Sequence, residues 1–172
     1  MAKTVKKPMI TNFKKFKEAW EKDAGDPYNS IFYYIIAALN IEKDADLADA
    51  MMTVVVSKRD TMDSSKSPSS LKLGKSSRYY IGQFQEDKNI ARSYMGADWK
   101  SDYKFDKNNM VMTVVKDQKV DDKTRKVFIH SGGADSPRPA TVKKNKEGQW
   151  KLTSYGSLCV GVRKPASEVD DF

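Results

Sequence analysis

The sequence predicts an α+β fold, with N-terminal helices packed on a C-terminal, mostly antiparallel β-sheet that is curved or barrel-like. Three observations lead there. Early in the chain Phe13, Phe16, Ala19 and Trp20 form an apolar stripe at helical spacing. The segment 28–40 is apolar on nearly every side and has the length of one buried helix. From residue 109 onward the pattern changes to short runs of alternating apolar and polar residues between turn formers.

The elements follow in order. The basic N-terminus, 1–11, carries Lys3, Lys6 and Lys7 and reads as flexible. Thr11 or Asn12 caps a helix over Phe13–Asp23. Gly25-Asp26-Pro27 ends it, and Asp26 or Asn29 restarts the chain into the core helix 28–40. After a turn at 42–44, a helix over Ala45–Val55 sets Leu47, Ala48, Met51, Met52 and Val55 on one face. Its β-branched end, Val54-Val55-Val56, is equally compatible with an extended chain. The serine-rich stretch 60–75 reads as a polar connector, the most mobile internal part. A short helix over 76–85 is anchored by Tyr79, Tyr80 and Phe84. Strands are expected at 109–115, 126–130, 140–144, 149–154 and 158–163, with a charged turn at 117–123. One domain therefore covers 12–165, helical over about 12–86 and sheet over about 109–165, before an acidic tail, 166–172. One face of the sheet should be wet and the other covered by the helix 28–40.

With 172 residues the chain can bury a real core without staples. It has 31 Lys+Arg against 23 Asp+Glu, a net charge of +8, which permits attraction to nucleic acid, anionic lipid or an acidic protein. The lysines are scattered, as at Lys14, Lys66, Lys72, Lys75, Lys144 and Lys146, with no dense block, which is also what a solvated surface needs. No apolar run approaches the ~20 residues of a membrane span. The single cysteine, Cys159, excludes an internal disulfide. With no apolar leader behind the first lysines, a cytoplasmic address is expected.

Chemistry is sparsely signalled. His130 is the only imidazole, and with Asp135 it is a weak candidate for general acid/base catalysis. Cys159 lies in an apolar context and reads as an unreactive small hydrophobe. One His and one Cys are too few for a zinc site, and Asp117, Asp121 and Asp122 lack the glycine and terminal glutamate of a calcium loop. No metal and no cofactor is expected. Gly74-Lys75-Ser76 resembles the end of a phosphate loop, but Ser69 stands where its first glycine belongs.

The strongest site candidate is the loop from Ser131 to Pro139. Gly132 and Gly133 could offer backbone N–H groups as a nest, and Arg138 a fixed cation, so an anion or a partner carboxylate could dock there. Ser131, Gly132, Gly133, Asp135, Arg138 and Lys143 make up that candidate surface. A scaffolding role is favoured: the glycines permit positive φ, Pro137 and Pro139 restrict the backbone around Arg138, and Asp135 can pair with Arg138. Trp20, Trp150 and Tyr33-Tyr34 read as core, whereas Trp99 and Tyr103, beside Lys100 and Lys104, read as an exposed platform.

The tract from Ser131 to Pro139, the Gly148-Gln149-Trp150 strand entry and the closing Val162-Arg163-Lys164-Pro165 resemble a bacterial family of uncharacterised domains. Its pattern is a strand, SSGADSPRP, a basic strand, a tryptophan strand and a final IRxP. Asp26-Pro-Tyr-Asn29 and Ala91-Arg-Ser-Tyr94-Met-Gly-Ala97 are similar to that family too, whereas residues 98–103 depart from its asparagine-tyrosine element. The resemblance implies kinship without a mechanism. The expected function is a non-enzymatic protein-binding or assembly module. Two alternatives are a small enzyme or anionic-ligand pocket near 131–139, and an electrostatic binder of an anionic polymer such as nucleic acid.

Overall fold

In the computed structural model, which describes residues 2–169, the Asp26 carboxylate accepts a hydrogen bond from the Tyr28 amide at 2.8 Å. Pro27 fills the first turn, where a missing N–H costs nothing. The helix that follows, α2 (Pro27–Leu39), is buried at every residue from Ser30 to Leu39. Asn40 ends it, donating from its side chain to Ile36 O and Ile10 O, each at 2.9 Å. α1 (Phe13–Asp23) starts where Asn12 accepts from the Lys15 amide at 2.9 Å, and it buries Phe16 and Trp20. α3 (Ala45–Val55) is capped by Asp44 and stays helical through its valines. Only Val56 is extended, bridging in parallel to Leu152.

Five strands form the main sheet: β1 (Lys3–Lys7), β4 (Met110–Asp121), β5 (Thr124–Ile129), β6 (Arg138–Lys144) and β7 (Trp150–Ser154). They lie in the order β1-β4-β5-β6-β7, all neighbours antiparallel, in an open sheet that does not close into a barrel. A short hairpin, β2 (Thr61–Asp63) and β3 (Leu71–Leu73), stands apart, followed by α4 (Lys75–Glu86), α5 (Asn89–Arg92) and the short α6 (Ala166–Val169). Met110, Met112, Val114, Val127, Ile129, Ala140, Val142, Trp150 and Leu152 make the buried face of the sheet. α2 covers β6 and β7, flanked by α1, α3 and α5, as the unbroken apolar surface of 28–40 requires. No helix among the described residues is long and apolar enough to cross a membrane.

Four local expectations give way to tertiary effects. The N-terminus is the edge strand β1 rather than a frayed tail, because Val5 pairs with Met112 while Lys7 reaches Asp23 at 3.1 Å. The charged stretch 117–123 continues β4 and turns only at its end. Asp117 is accommodated there because the Tyr28 hydroxyl and the Arg125 guanidinium each donate to it at 2.6 Å. The serine-rich connector is ordered as the β2–β3 hairpin. Ser69 Oγ lies 2.7 Å from Thr53 Oγ1, and the Leu73 amide donates to the buried Asp49 carboxylate at 2.9 Å. The strand expected at 158–163 is instead a 3-10 turn, Gly156–Cys159, leading into extended chain. Leu158 and Cys159 are adjacent and both buried, which an alternating strand face does not allow. At the other end, the tail residues Asp170 and Asp171 lie outside the described residues.

Two polar relays tie the layers. Trp20 Nε1 donates to Ser30 Oγ at 3.0 Å, and Ser30 Oγ donates to Trp150 O at 2.6 Å, joining α1, α2 and β7. Ser30→Ala strands both buried partners and should cost about 1–3 kcal/mol in urea denaturation; an unchanged midpoint would refute the relay. The second relay centres on Asp23, which accepts from Tyr33 at 2.6 Å and from Lys7. Burial pushes its carboxyl up, but those two donors and the charge of Lys7 outweigh it, so the group titrates below the ordinary 3.8. A lowered folded-state value means stability present above 3.8 and lost as pH falls through the folded value. Asp23→Asn should therefore flatten the acid limb of a stability-against-pH curve; a limb as steep as in the wild type would contradict this.

Candidate functional site

β5 ends at Ile129, and the chain crosses His130 into the loop that leads to β6. Ser131 is buried and donates to Ser93 Oγ at 2.8 Å. Gly132 and Gly133 are glycines because of close approach rather than positive φ, which among the glycines occurs at Gly96 and Gly148. A Cβ on Gly132 would lie 1.9 Å from Ala97 O, and one on Gly133 would lie 2.1 Å from the Tyr103 hydroxyl. Their amides are already used: Gly132 N donates to Ser93 O at 2.8 Å and Gly133 N to Ser131 Oγ at 3.3 Å. The anion nest expected from this glycine pair does not form.

Arg138 and Asp135 do not pair with each other. Arg138 turns to the inner side of the sheet and donates to Val160 O, to Gly161 O at 2.6 Å and to the Tyr94 hydroxyl at 3.3 Å. Burial raises that phenol to about 12 against the pull of Arg138, so it stays protonated and donates to Leu158 O at 2.7 Å. Asp135 is exposed and pairs with Arg163 at 2.5 Å. Arg138 and Arg163 thus fasten the segment after the 3-10 turn as a strap along the loop, and the Arg163 amide donates to Gly133 O at 2.9 Å.

The strap also grips the segment expected to be an exposed platform. Tyr103 is fully buried, and its hydroxyl donates to Arg163 O at 2.5 Å. Asp102 and Tyr103 sit in the left-handed region at φ 56° and 57°, a strain of order 1–3 kcal/mol per residue. The Tyr103 amide bond to Asp98 O (2.8 Å) and the strap hold that geometry. Trp99 is half-buried beneath the Arg163 guanidinium, 5.6 Å from its ring.

Between loop and strap lies an open cleft of about 510 Å³ lined by Asp135, Ser136, Arg138, Val160 and Arg163. His130 is exposed and does not line it, and its ring has no hydrogen-bond partner among the described residues. Cys159 is buried, donates to Gly156 O at 3.2 Å, and has its thiol pushed up by burial. Among the described residues no group of three His, Cys, Asp or Glu side chains is placed to hold a metal ion. Lys143, the last of the sequence-predicted set, is exposed on the outer face of the sheet, away from this cleft.

A larger groove, about 660 Å³, lies where α3, the β2–β3 hairpin and the start of α4 meet. Leu47, Met62, Pro68 and Leu73 supply its apolar surface, and Met62 is 54% exposed. Asp49 is buried at its base, paired with Arg78 at 2.7 Å, while Lys66, Lys72 and Lys75 stand on the rim with no ion-pair partner among the described residues. Sequence reasoning missed this groove because its residues come from a stretch whose polar composition reads as connector. The one available signal was Met62 isolated within it.

Because Arg138 is committed to three internal acceptors, Arg138→Ala should lower the thermal midpoint and cost roughly 2 kcal/mol. An unaltered melt would show the guanidinium to be free for another task.

No curated protein and no solved structure matches the chain. A family model does match, over residues 9–166, from just after β1 to the first residue of α6, so that α1 to α5, β2 to β7, the loop and the strap are included. The chain belongs to the family described as Domain of unknown function (DUF6935).

Proposed function

We propose that the protein is a non-enzymatic module that binds a protein partner through the groove between α3, the β2–β3 hairpin and α4. The observation that carries this reading is the groove's chemistry: apolar side chains beside an exposed methionine, with three lysines on the rim that have no ion-pair partner among the described residues. An exposed apolar patch rimmed by polar residues is the ordinary form of a protein-binding surface. The carboxylates there are already engaged, Asp49 and Asp46 with Arg78 and Asp44 in capping α3. The surplus charge is positive, and the complementary partner is a segment presenting an apolar side chain flanked by carboxylates. A reducing, cytoplasmic setting suits a chain with a single buried thiol.

The alternative of an enzyme or an anionic-ligand pocket near 131–139 has less support. Arg138 and Asp135 line the cleft there with their charges already spent on Val160, Gly161 and Arg163, and His130 lies outside it.

Panning displayed random peptides against the immobilised chain tests the proposal. Enriched sequences should place acidic residues around an apolar one and bind Lys66→Glu/Lys72→Glu at least about tenfold more weakly, a change of about 1.4 kcal/mol. No enrichment, or peptides indifferent to that double substitution, would reject it.

A further inference from the structure

The sheet has a second surface, the face turned away from the helices. Antiparallel pairing places Lys6 opposite Val111, Lys116 opposite Phe128, Lys126 opposite Gln118 and Thr141, and Lys143 opposite Thr124. Lys6, Lys126 and Lys143 alternate with the half-buried Val5 and the buried Val127 and Val142, and Lys116 joins them because the register shifts by one residue at Val115, which sets it opposite the outward Phe128. Each of β1, β4, β5 and β6 contributes one lysine, and neighbouring strands lie roughly 5 Å apart. The four positions form an oblique row across the strands. None has an ion-pair partner among the described residues. The next lysine, Lys151, folds instead onto the Trp20 ring at 5.4 Å. The carboxylate level with the row is Asp121 at the hairpin end, where it accepts from the Lys123 amide at 2.8 Å.

Phe128 stands inside this row. Its half-buried ring has Lys116 Nζ at 5.5 Å and Lys126 Nζ at 5.4 Å from its centroid. Thr113 and Thr141, both half-buried on the same face, add hydroxyl donors.

We propose that this outward sheet face binds single-stranded nucleic acid. Backbone phosphates track the lysine row, and Phe128 stacks one base. A phosphate that draws the two ammonium groups off the ring uncovers the ring for that base, coupling the two contacts. An unpaired strand presents phosphate and base face together, whereas a duplex keeps its base faces stacked inside.

The test is fluorescence anisotropy of a labelled oligodeoxythymidylate titrated with the full chain across a salt series. Binding should weaken with salt at a log–log slope of about −2 to −3, as three or four phosphates neutralised on a single strand require. Lys116→Glu/Lys126→Glu should lower affinity at least tenfold, by about 1.4 kcal/mol or more. Phe128→Leu should weaken binding about fivefold or more while leaving the salt slope unchanged, because one stacked base is lost and no charge. Lys72→Glu, in the groove of the proposed protein site, should bind as the wild type. Thermal melts confirm that each variant folds, and Lys143→Glu, at an exposed strand position, replaces any that does not. The proposal is overturned if no binding is seen at low salt, or if the lysine reversals leave affinity unchanged. It is equally overturned if duplex DNA or anionic vesicles are bound as tightly as the single strand, or if Lys72→Glu abolishes binding.

Discussion

A helix with no water-facing side must be enclosed all round, and α2 imposes that demand on every other element. Ile31, Phe32, Ile35, Ile36 and Ala37 have no exposed surface at all. Burying each of the four larger side chains is worth about 1.5–3 kcal/mol, far more than helix propensity could offset if they faced water. The sheet therefore closes over one side of α2 and the other helices over the rest. Those helices lie in sequence between β1 and β4, so the edge strand comes from the start of the chain and the remaining four from its end.

Enclosure on that scale leaves polar groups inside that must find one another. Ser30 stands between the indole of Trp20 and the carbonyl of Trp150, and Asn40 ties the end of α2 to Ile10. Tyr155 joins Ser77 and Asp60 through its hydroxyl, linking α4 to the segment before the hairpin. Tyr34 is one exception: like Asn40 Oδ1, Arg92 Nε and Asp117 Oδ1, its buried hydroxyl finds no partner among the described residues, and its ring packs against Phe84 and Tyr155. These bonds orient helices against strands, a task that apolar contact performs without direction.

The same logic consumes the loop that looks most like a site. Two glycines admit neighbouring atoms at distances a Cβ would forbid, and Arg138 and Arg163 lace the strap that follows the 3-10 turn. Ions and amides that could have met a ligand are spent on holding chain against chain. The unspent charge lies elsewhere, on the rim of the groove and across the outer sheet face, where lysines have no ion-pair partner among the described residues. This is how a net charge of +8 becomes localised although the lysines are dispersed along the sequence.

The sequence by itself determined what short-range physics controls. Asn12, Asp26 and Asp44 cap helices because a side-chain oxygen next to free amides acts locally, and the apolar breadth of 28–40 makes that helix central wherever it lies. The antiparallel sheet was legible in the alternation around Phe128 and Val142. Only the tertiary structure decided the rest, because each remaining outcome depends on a partner distant in the chain. Lys3–Lys7 becomes a strand only beside β4, and Asp117 enters a strand only because Tyr28 lies 89 positions away in sequence and within hydrogen-bond reach. Tyr103 is buried by the strap and the Gly133 loop, both distant in sequence, and the groove exists only where a serine-rich hairpin meets two helices. Side-chain pattern and capping are encoded within a few residues; contact across the fold is a sum over the whole chain that no local window contains.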